Sequence, residues 1–416
     1  MKKINSNLLH LFWVQFFGAL NDNVFKNALV ILITFHGTSL FGLNSSMLVA
    51  MAGAIFIAPF FFLSATSGQL ADAYDKTFLV KIIKQVEIAI VLVAILGFYL
   101  ENFYLLFFVL FLLGLHSTFF GPLKYALIPF YSFKKDLVFS NALISGGTFI
   151  AILLGTILGG ISGGLLLKIL LVSFALLGFF FADKLPPMGN AQPGHTVEVD
   201  WNFNRSTKNI IKLIFSNSKI AVLILGLSWF WFMGAGLLSL LPILAKNILH
   251  GNEAVATLLL FTFTLGMGVG PFVLDLLTGG EVKKIIIPLS LVLMSCFIFD
   301  AAYVIHSMNQ IPEQITMDSY FSILRSWRLL IDLFFLSFCG GMYTVTQFAE
   351  LQHLAPSNEI SRIVAGNNVL NSLFMVVVSI LLMVFHQQLF PLWLIFAILG
   401  ALNILVGFVL VFFHRQ

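Results

Sequence analysis

Five polar side chains crowd one short stretch near the start of an otherwise greasy chain. They are Asn21, Asp22, Asn23, Lys26 and Asn27, in GALNDNVFKNALV, flanked by LFWVQFF and ILITF. On a helix, Asp22 and Lys26 are four residues apart and share one face, with the acid N-terminal to the base, the favourable order. Asn23 and Asn27 form an adjoining stripe. Such a set admits three chemistries. The acid and base can neutralise each other as a structural ion pair. They can each take one charge of a ligand that carries both signs, by charge-assisted hydrogen bonds. Or Asp22 can hold a proton or a sodium ion, although nothing else in the sequence suggests a relay.

The element that must carry these residues follows from composition. The chain has 416 residues, 59% hydrophobic and only 10% charged, against about 25% charged in soluble domains. A soluble core could not use so much apolar surface, so the class is a polytopic helical membrane protein. A charge at the centre of a membrane helix costs roughly 2.5–3.5 kcal/mol, so the acid and base must face a cavity or a partner. Met1, Lys2 and Lys3 lead into a full-length span rather than a cleavable signal peptide. Cys296 and Cys339 lie in apolar runs and read as packed thiols, with no disulfide framework and no metal site.

Apolar runs of spanning length fall at 11–35, 46–70, 78–100, 103–123, 138–161 and 164–182, then at 218–246, 254–278, 285–306, 328–349, 361–385 and 389–413. That predicts an all-α protein of twelve transmembrane helices: an N-terminal six-helix half (1–182), a Pro/Gly-rich cytoplasmic linker (183–217) and a C-terminal six-helix half (218–416). With the N-terminus inside, Lys246, Arg325 and Arg328 face out and Lys26 and Lys168 fall within spans; the other 17 of 22 basic residues face in. This bias predicts both termini in the cytoplasm. It also explains the net charge of +4 without any nucleic-acid footprint.

The halves repeat. Aligning LFWVQFFGALNDNVFKN with LSWFWFMGAGLLSLLPI pairs Trp13 with Trp229, Phe16 with Phe232 and Gly18-Ala19 with Gly234-Ala235. Further along, Pro59 pairs with Pro271, Gly121 with Gly341 and Asn141 with Asn367. Transporters built from two such units bind substrate near the bilayer midplane and rock around it.

The loop GQLADAYDK, Gly68 to Lys76, resembles the signature loop of the major facilitator superfamily: a glycine, then Leu-Ala-Asp, then a basic residue. In this chain Tyr74-Asp75-Lys76 stands where the family usually has a second glycine and a basic cluster. The resemblance implies that Gly68 permits close helix approach, while Asp72 and Lys76 belong to a cytoplasmic gating latch. A narrower resemblance runs through FGALNDNVFKNALV, FGPLKYALIP, LLAKNILHG, GMGVGPFVLDLLTGGEVKK, LFFLSFCGGMYTV and GNNVLNS. These look like the lysophospholipid transporter branch, in particular the transporter half of bacterial fusions with an acyltransferase. Where some members carry an arginine beyond the Gly-Ala step of span seven, this chain has LLSLL at Leu237–Leu241.

That resemblance implies a flippase of the bacterial inner membrane, carrying lysophosphatidylethanolamine-like lipid from the outer to the inner leaflet by alternating access. It implies no cofactor, a monomer, membrane lipid as surroundings and an acyltransferase as a possible partner. Asp22 would take the headgroup amine and Lys26 the phosphate, with Asn23, Asn27 and Asn141 nearby and Trp229 and Trp231 on an apolar wall. The alternatives are a facilitator for another amphiphile or drug, and a non-transporting subunit that docks an acyltransferase. Up to Gln416 the sequence holds neither enzymatic half of such a fusion, so it is read as either a stand-alone transporter or a piece of a longer protein. His195 and Asp200 fit the His-x4-Asp pattern of glycerolipid acyltransferases, but a polar linker of about 35 residues is too short for a core of its own. The chain is therefore not expected to be an enzyme. Two further pairings are expected: Glu87 with Lys84 or the adjacent loop, and Arg328 with Asp332.

Overall fold

The computed structural model describes residues 5–35, 45–133, 136–188, 199–308 and 317–414. His195 of the acyltransferase-like pattern lies outside them. The described residues form fourteen α-helices: α1 Ser6–Phe35, α2 Ser45–Ala73, α3 Lys76–Tyr99, α4 Phe103–Tyr131, α5 Leu137–Ile161, α6 Gly164–Asp183, α7 Phe203–Phe215, α8 Ser218–Ile243, α9 Glu253–Thr278, α10 Ile286–Met308, α11 Met317–Ser322, α12 Leu324–Leu354, α13 Ile360–Gln387 and α14 Leu392–His414. Twelve of them match the twelve predicted spans one to one. Eleven are long and apolar enough to cross a membrane. The remaining long helix, α3, carries Lys76, Lys81, Lys84 and Glu87 in its first half.

Two helices were not expected. The predicted linker contains α7, whose buried stripe Ser206, Ile210 and Ile214 recurs every four residues. Asn202 caps it by accepting from Arg205 N at 3.1 Å, the usual satisfaction of a first-turn donor. The short α11 lies in the predicted loop 307–326. There is also a local departure at the end of α8, which runs past Pro242 into a π-helical turn, Leu244–Ile248. Proline withholds one backbone donor from the ladder at that point.

The chain divides into two compact units: residues 1–134, 150–217 and 354–369, and residues 135–149, 218–353 and 370–416. The start of α5 thus belongs with the second unit and the start of α13 with the first. Glycine contacts account for both memberships. A Cβ on Gly146 of α5 would lie 2.6 Å from the Phe272 ring and 3.1 Å from Gly268 O on α9. One on Gly68 of α2 would lie 2.4 Å from Ala365 Cβ on α13. Small residues permit such backbone approach where lipid offers no hydrophobic drive between helices.

The first unit is cored by Val24, Phe25, Leu29 and Ile33 of α1 with Ala94 of α3, Leu106 and Leu110 of α4, Ala151 of α5 and Leu171 of α6. Gly114 of α4 lies against the Phe56 backbone of α2. In the second unit Gly266 and Gly270 of α9 lie against Phe334 O and Phe338 O of α12. Gly341 of α12 in turn lies against Met267 O of α9, so the repeat keeps this helix pair close with glycines on both partners in the second unit.

Candidate functional site

The acid and base of α1 do not neutralise each other. Asp22 is buried; its Oδ2 accepts from Ser117 Oγ of α4 at 2.5 Å. Its Oδ1 is buried with no hydrogen-bond partner. One turn on, Lys26 Nζ stands 5.8 Å from the centroid of the Phe56 ring of α2. Among the described residues no carboxylate lies within ion-pair distance of it. Each charge thus keeps bonding capacity. The flanking amides are more committed. Asn23 Nδ2 donates back to Ala19 O at 2.8 Å, and Asn27 Nδ2 donates to Thr156 O of α5 at 2.5 Å. Both sit against glycines of α5, since a Cβ on Gly155 would be 2.7 Å from Asn23 Cβ and one on Gly159 would be 2.9 Å from Asn27 Cβ.

Beside them lies a second polar group that the sequence only partly suggested. Lys84 and Glu87 of α3 are fully buried and pair at 2.7 Å, as expected from their spacing. The same carboxylate also holds α1 and α4. Asn21 Nδ2 donates to Glu87 Oε1 at 3.2 Å, and His116 Nε2 lies 3.3 Å from Glu87 Oε2. The Lys84 ammonium lies 5.0 Å from the Phe120 ring centroid. It occupies the space beside Gly18, where a Cβ would come within 2.4 Å of it. A buried ion pair is tolerated when further hydrogen bonds meet its remaining lone pairs; Asn21 does that here, and the His116 ring stands alongside. The pair thereby fastens α1, α3 and α4 around Asp22. Hydropathy carries no signal for this, because the contacts join residues about 30 to 66 positions apart along the chain.

Asn141, Trp229 and Trp231 lie in the second unit. Asn141 is fully buried; its Nδ2 donates to Gln352 Oε1 of α12 at 2.6 Å and to Leu137 O at 2.9 Å. Trp229 Nε1 donates to Asn403 Oδ1 of α14 at 2.8 Å. Asn403 in turn donates to Leu291 O and Ser295 Oγ of α10. The Trp229 indole stacks on Phe232 with centroids 4.8 Å apart. Trp229 is thus a packing anchor among three helices. Trp231 Nε1, in contrast, is buried without a hydrogen-bond partner.

The signature-loop residues meet the start of α13. A Cβ on Gly68 would also lie 2.9 Å from Ser361 O and 3.0 Å from Arg362 Cα. Asp72 Oδ2 accepts from Arg362 N and from Arg362 Nε, both at 3.2 Å. Lys76 Nζ lies 3.6 Å from Asp72 Oδ1 and donates to Ala71 O at 2.8 Å. Arg362 was not anticipated as the partner of Asp72; its only sequence signal is a base at the start of a span. The amphipathic α7 joins the same place. Gln69 Nε2 donates to Ser206 Oγ at 2.9 Å, and Ile210 and Ile214 press on Gly366 of α13. In the second unit, Lys284 pairs with the buried Glu350 of α12 at 2.8 Å.

One expected pairing is corrected. Arg328 engages Asp300 of α10 through two hydrogen bonds, Nε to Oδ2 at 2.8 Å and a shorter one from its terminal nitrogen to Oδ1. The fork of a guanidinium matches both oxygens of a carboxylate on a neighbouring helix, which the spacing of Asp332 on its own helix did not reveal. Among the described residues, no three His, Cys, Asp or Glu side chains are grouped to hold a metal ion.

No protein-family model matches the chain. A lysophospholipid transporter LplT of Serratia proteamaculans is 25% identical over 277 residues, covering 64% of this chain and 65% of that protein. One of Yersinia pestis is 26% identical over the same length, covering 64% of each. The match thus spans less than two thirds of these relatives. Among solved structures, the human organic anion transporter MFSD10 (TETRAN) superposes with a TM-score of 0.78 at 14% identity, over 97% of this chain and 99% of that one. The E. coli fucose:proton symporter FucP gives 0.71 at 12% identity, covering 98% of both. A bacterial homologue of the iron transporter ferroportin, in an outward-facing state, gives 0.68 at 14% identity, over 99% of this chain and 100% of that one. The protein is a multi-pass helical membrane protein with the major facilitator transporter fold.

Proposed function

We propose that the protein transports a lysophospholipid, of the lysophosphatidylethanolamine kind, from the outer to the inner leaflet of a bacterial inner membrane by alternating access. The observation that carries this reading is the unpaired state of Asp22 and Lys26. A buried acid and a base one turn apart, with neither neutralising the other, suit a headgroup that carries an amine and a phosphate. Asp22 Oδ1 takes the amine and Lys26 the phosphate, each by a charge-assisted bond. Intramembrane ionisable residues mark substrate paths by default, and the names of the relatives point to the same substrate class. Asn23 and Asn27 set the position of α1 on α5 rather than touching substrate, and Trp229 and Asn141 act through packing. Gly68, Asp72 and Lys76, with Arg362, serve as a cytoplasmic latch that parts as the inward-facing state forms.

Uptake of labelled lysophosphatidylethanolamine into spheroplasts tests the reading, using wild type, Asp22→Ala and Lys26→Ala. Loss in both variants with normal membrane insertion is expected. Unchanged uptake in both variants rejects the headgroup assignment. Absence of uptake in the wild type points instead to another amphiphile as cargo, or to a subunit that docks an acyltransferase.

A further inference from the structure

The crossing of α1 with α5 and that of α8 with α13 are counterparts in the repeat, yet they are built differently. On α5, Gly155 and Gly159 bring the backbones together: their added Cβ atoms would lie 2.8 Å from Leu20 O and 2.5 Å from Val24 O. In the register that matches Asn141 to Asn367, α13 carries Leu381 and Phe385 at those positions. Helices α8 and α13 are close at Gly236, where a Cβ would lie 2.9 Å from Val378 Cγ2. Beyond that point the two helices and α14 line a cavity of ≈ 540 Å³ within the second unit, open on one side where Ile243, Met383 and Phe390 are exposed.

Its lining is amphipathic and uncharged. Leu240 and Ile243 of α8, Leu382 and Met383 of α13 and Ile395 of α14 form apolar walls. The hydroxyls of Ser239 and Ser379 are spent on their own helices, donating to Ala235 O at 2.6 Å and Met375 O at 2.8 Å. The remaining polar groups are the amides of Asn247 and Gln387, at the C-terminal ends of α8's π turn and of α13. A cavity of this size, apolar in depth with a few neutral hydrogen-bonding groups, is the usual make-up of a small-ligand site.

We propose that this cavity is the acyl-chain site of the transported lipid. The single tail lies between α8, α13 and α14, and the glycerol hydroxyl and ester meet Asn247 and Gln387. The charged headgroup stays outside the cavity, because no charged side chain lines it. One slot between three helices takes one chain, which favours a lysolipid over a diacyl lipid. The inference rests on the lysophospholipid reading above.

The test uses Ser239→Trp and Ser379→Trp, two exposed lining positions about two helical turns from Asn247 and Gln387, where an indole fills the far end of the cavity without entering the core. The reconstituted full chain is assayed with oleoyl and octanoyl lysophosphatidylethanolamine. Transport of the oleoyl lipid is expected to fall about tenfold, as for crowding of an apolar pocket, while the octanoyl lipid moves at close to the wild-type rate. An equal fall for both lipids, or no fall for either, overturns the site. A diazirine-bearing oleoyl lysolipid provides a second measurement that does not need transport. It is expected to label residues 379–387 in the wild type and not in Ser239→Trp. If the wild type moves neither lipid, the transport reading fails while this labelling still decides the cavity. Absence of labelling, or labelling undiminished by the indole, overturns it.

Discussion

Asp22 and Lys26 stand one turn apart on α1, and they do not pair: Asp22 leans on Ser117 while Lys26 lies over Phe56. An acid and a base this close on a helix ordinarily attract each other by a few tenths of a kcal/mol. Here each has a neighbour on another helix instead, Ser117 on α4 and Phe56 on α2, while the Glu87 network and the glycines of α5 pack the rest of α1.

The first prediction concerns that network. Glu87→Ala leaves the Lys84 ammonium buried and unpaired, and should destabilise the protein by about 3–5 kcal/mol. Replacing both partners, Lys84→Met with Glu87→Leu, removes the stranded charge and should recover most of the loss. Thermal unfolding in detergent reads both. Equal damage in the single and double variants contradicts the ion-pair account.

A second prediction uses the repeat. Gly18 and Gly234 occupy matching Gly-Ala steps, but a Cβ on Gly18 would meet Lys84 Nζ at 2.4 Å, whereas one on Gly234 meets nothing within 4 Å. Gly18→Ala should cost about 1–3 kcal/mol by overpacking. Gly234→Ala should be neutral or slightly stabilising, since alanine is the better helix former. The same unfolding assay compares them, and equal effects would contradict the contrast.

The third concerns the contact between α2 and α13. Asp72→Asn removes the charge that Arg362 meets, and bonds to a charged group are worth about 1.5–3 kcal/mol. Ser361→Cys, buried against Gly68, should then react with a soluble maleimide at least about tenfold faster in the Asp72→Asn background. Unchanged labelling argues that the glycine packing alone holds the crossing.

The fourth is a pH effect at the cap of α3. Burial pushes the Asp75 carboxyl up, but hydrogen bonds from Thr77, Phe78 N and Met188 N together outweigh it and hold the group below the usual carboxylate range. A carboxyl lowered on folding adds stability above its unfolded value, and that stability is lost as pH falls through the folded value. Asp75→Ala should cost about 1 kcal/mol at neutral pH and flatten the acid side of the stability profile. An unchanged acid limb would contradict the assignment.

The twelve long helices were legible because lipid imposes long apolar runs whose backbone is satisfied internally. The Asp22–Lys26 spacing was legible for the same reason: charge stands out in such runs. The network at Glu87, the pairing of Arg362 with Asp72 and that of Arg328 with Asp300 were not. Each joins helices far apart in sequence, and periodicity reports which face is polar, not what that face meets. Helix α7 was missed for a different reason. The Pro/Gly-rich run before it masked the Ser206, Ile210 and Ile214 stripe. The contacts of Asn23 and Asn27 with α5 were not legible either, because an amide suits a substrate site and a glycine-lined helix crossing alike.

The most direct test of the headgroup assignment compares two lysolipids in proteoliposomes, lysophosphatidylethanolamine and lysophosphatidylglycerol, which share the phosphate but not the amine. Asp22→Asn should lose transport of the ethanolamine lipid by about tenfold or more, the value of one charge-assisted bond, and leave the glycerol lipid nearly unaffected. Lys26→Gln should slow both. If Asp22→Asn slows the two lipids equally, or slows neither, Asp22 does not read the amine and the account is wrong.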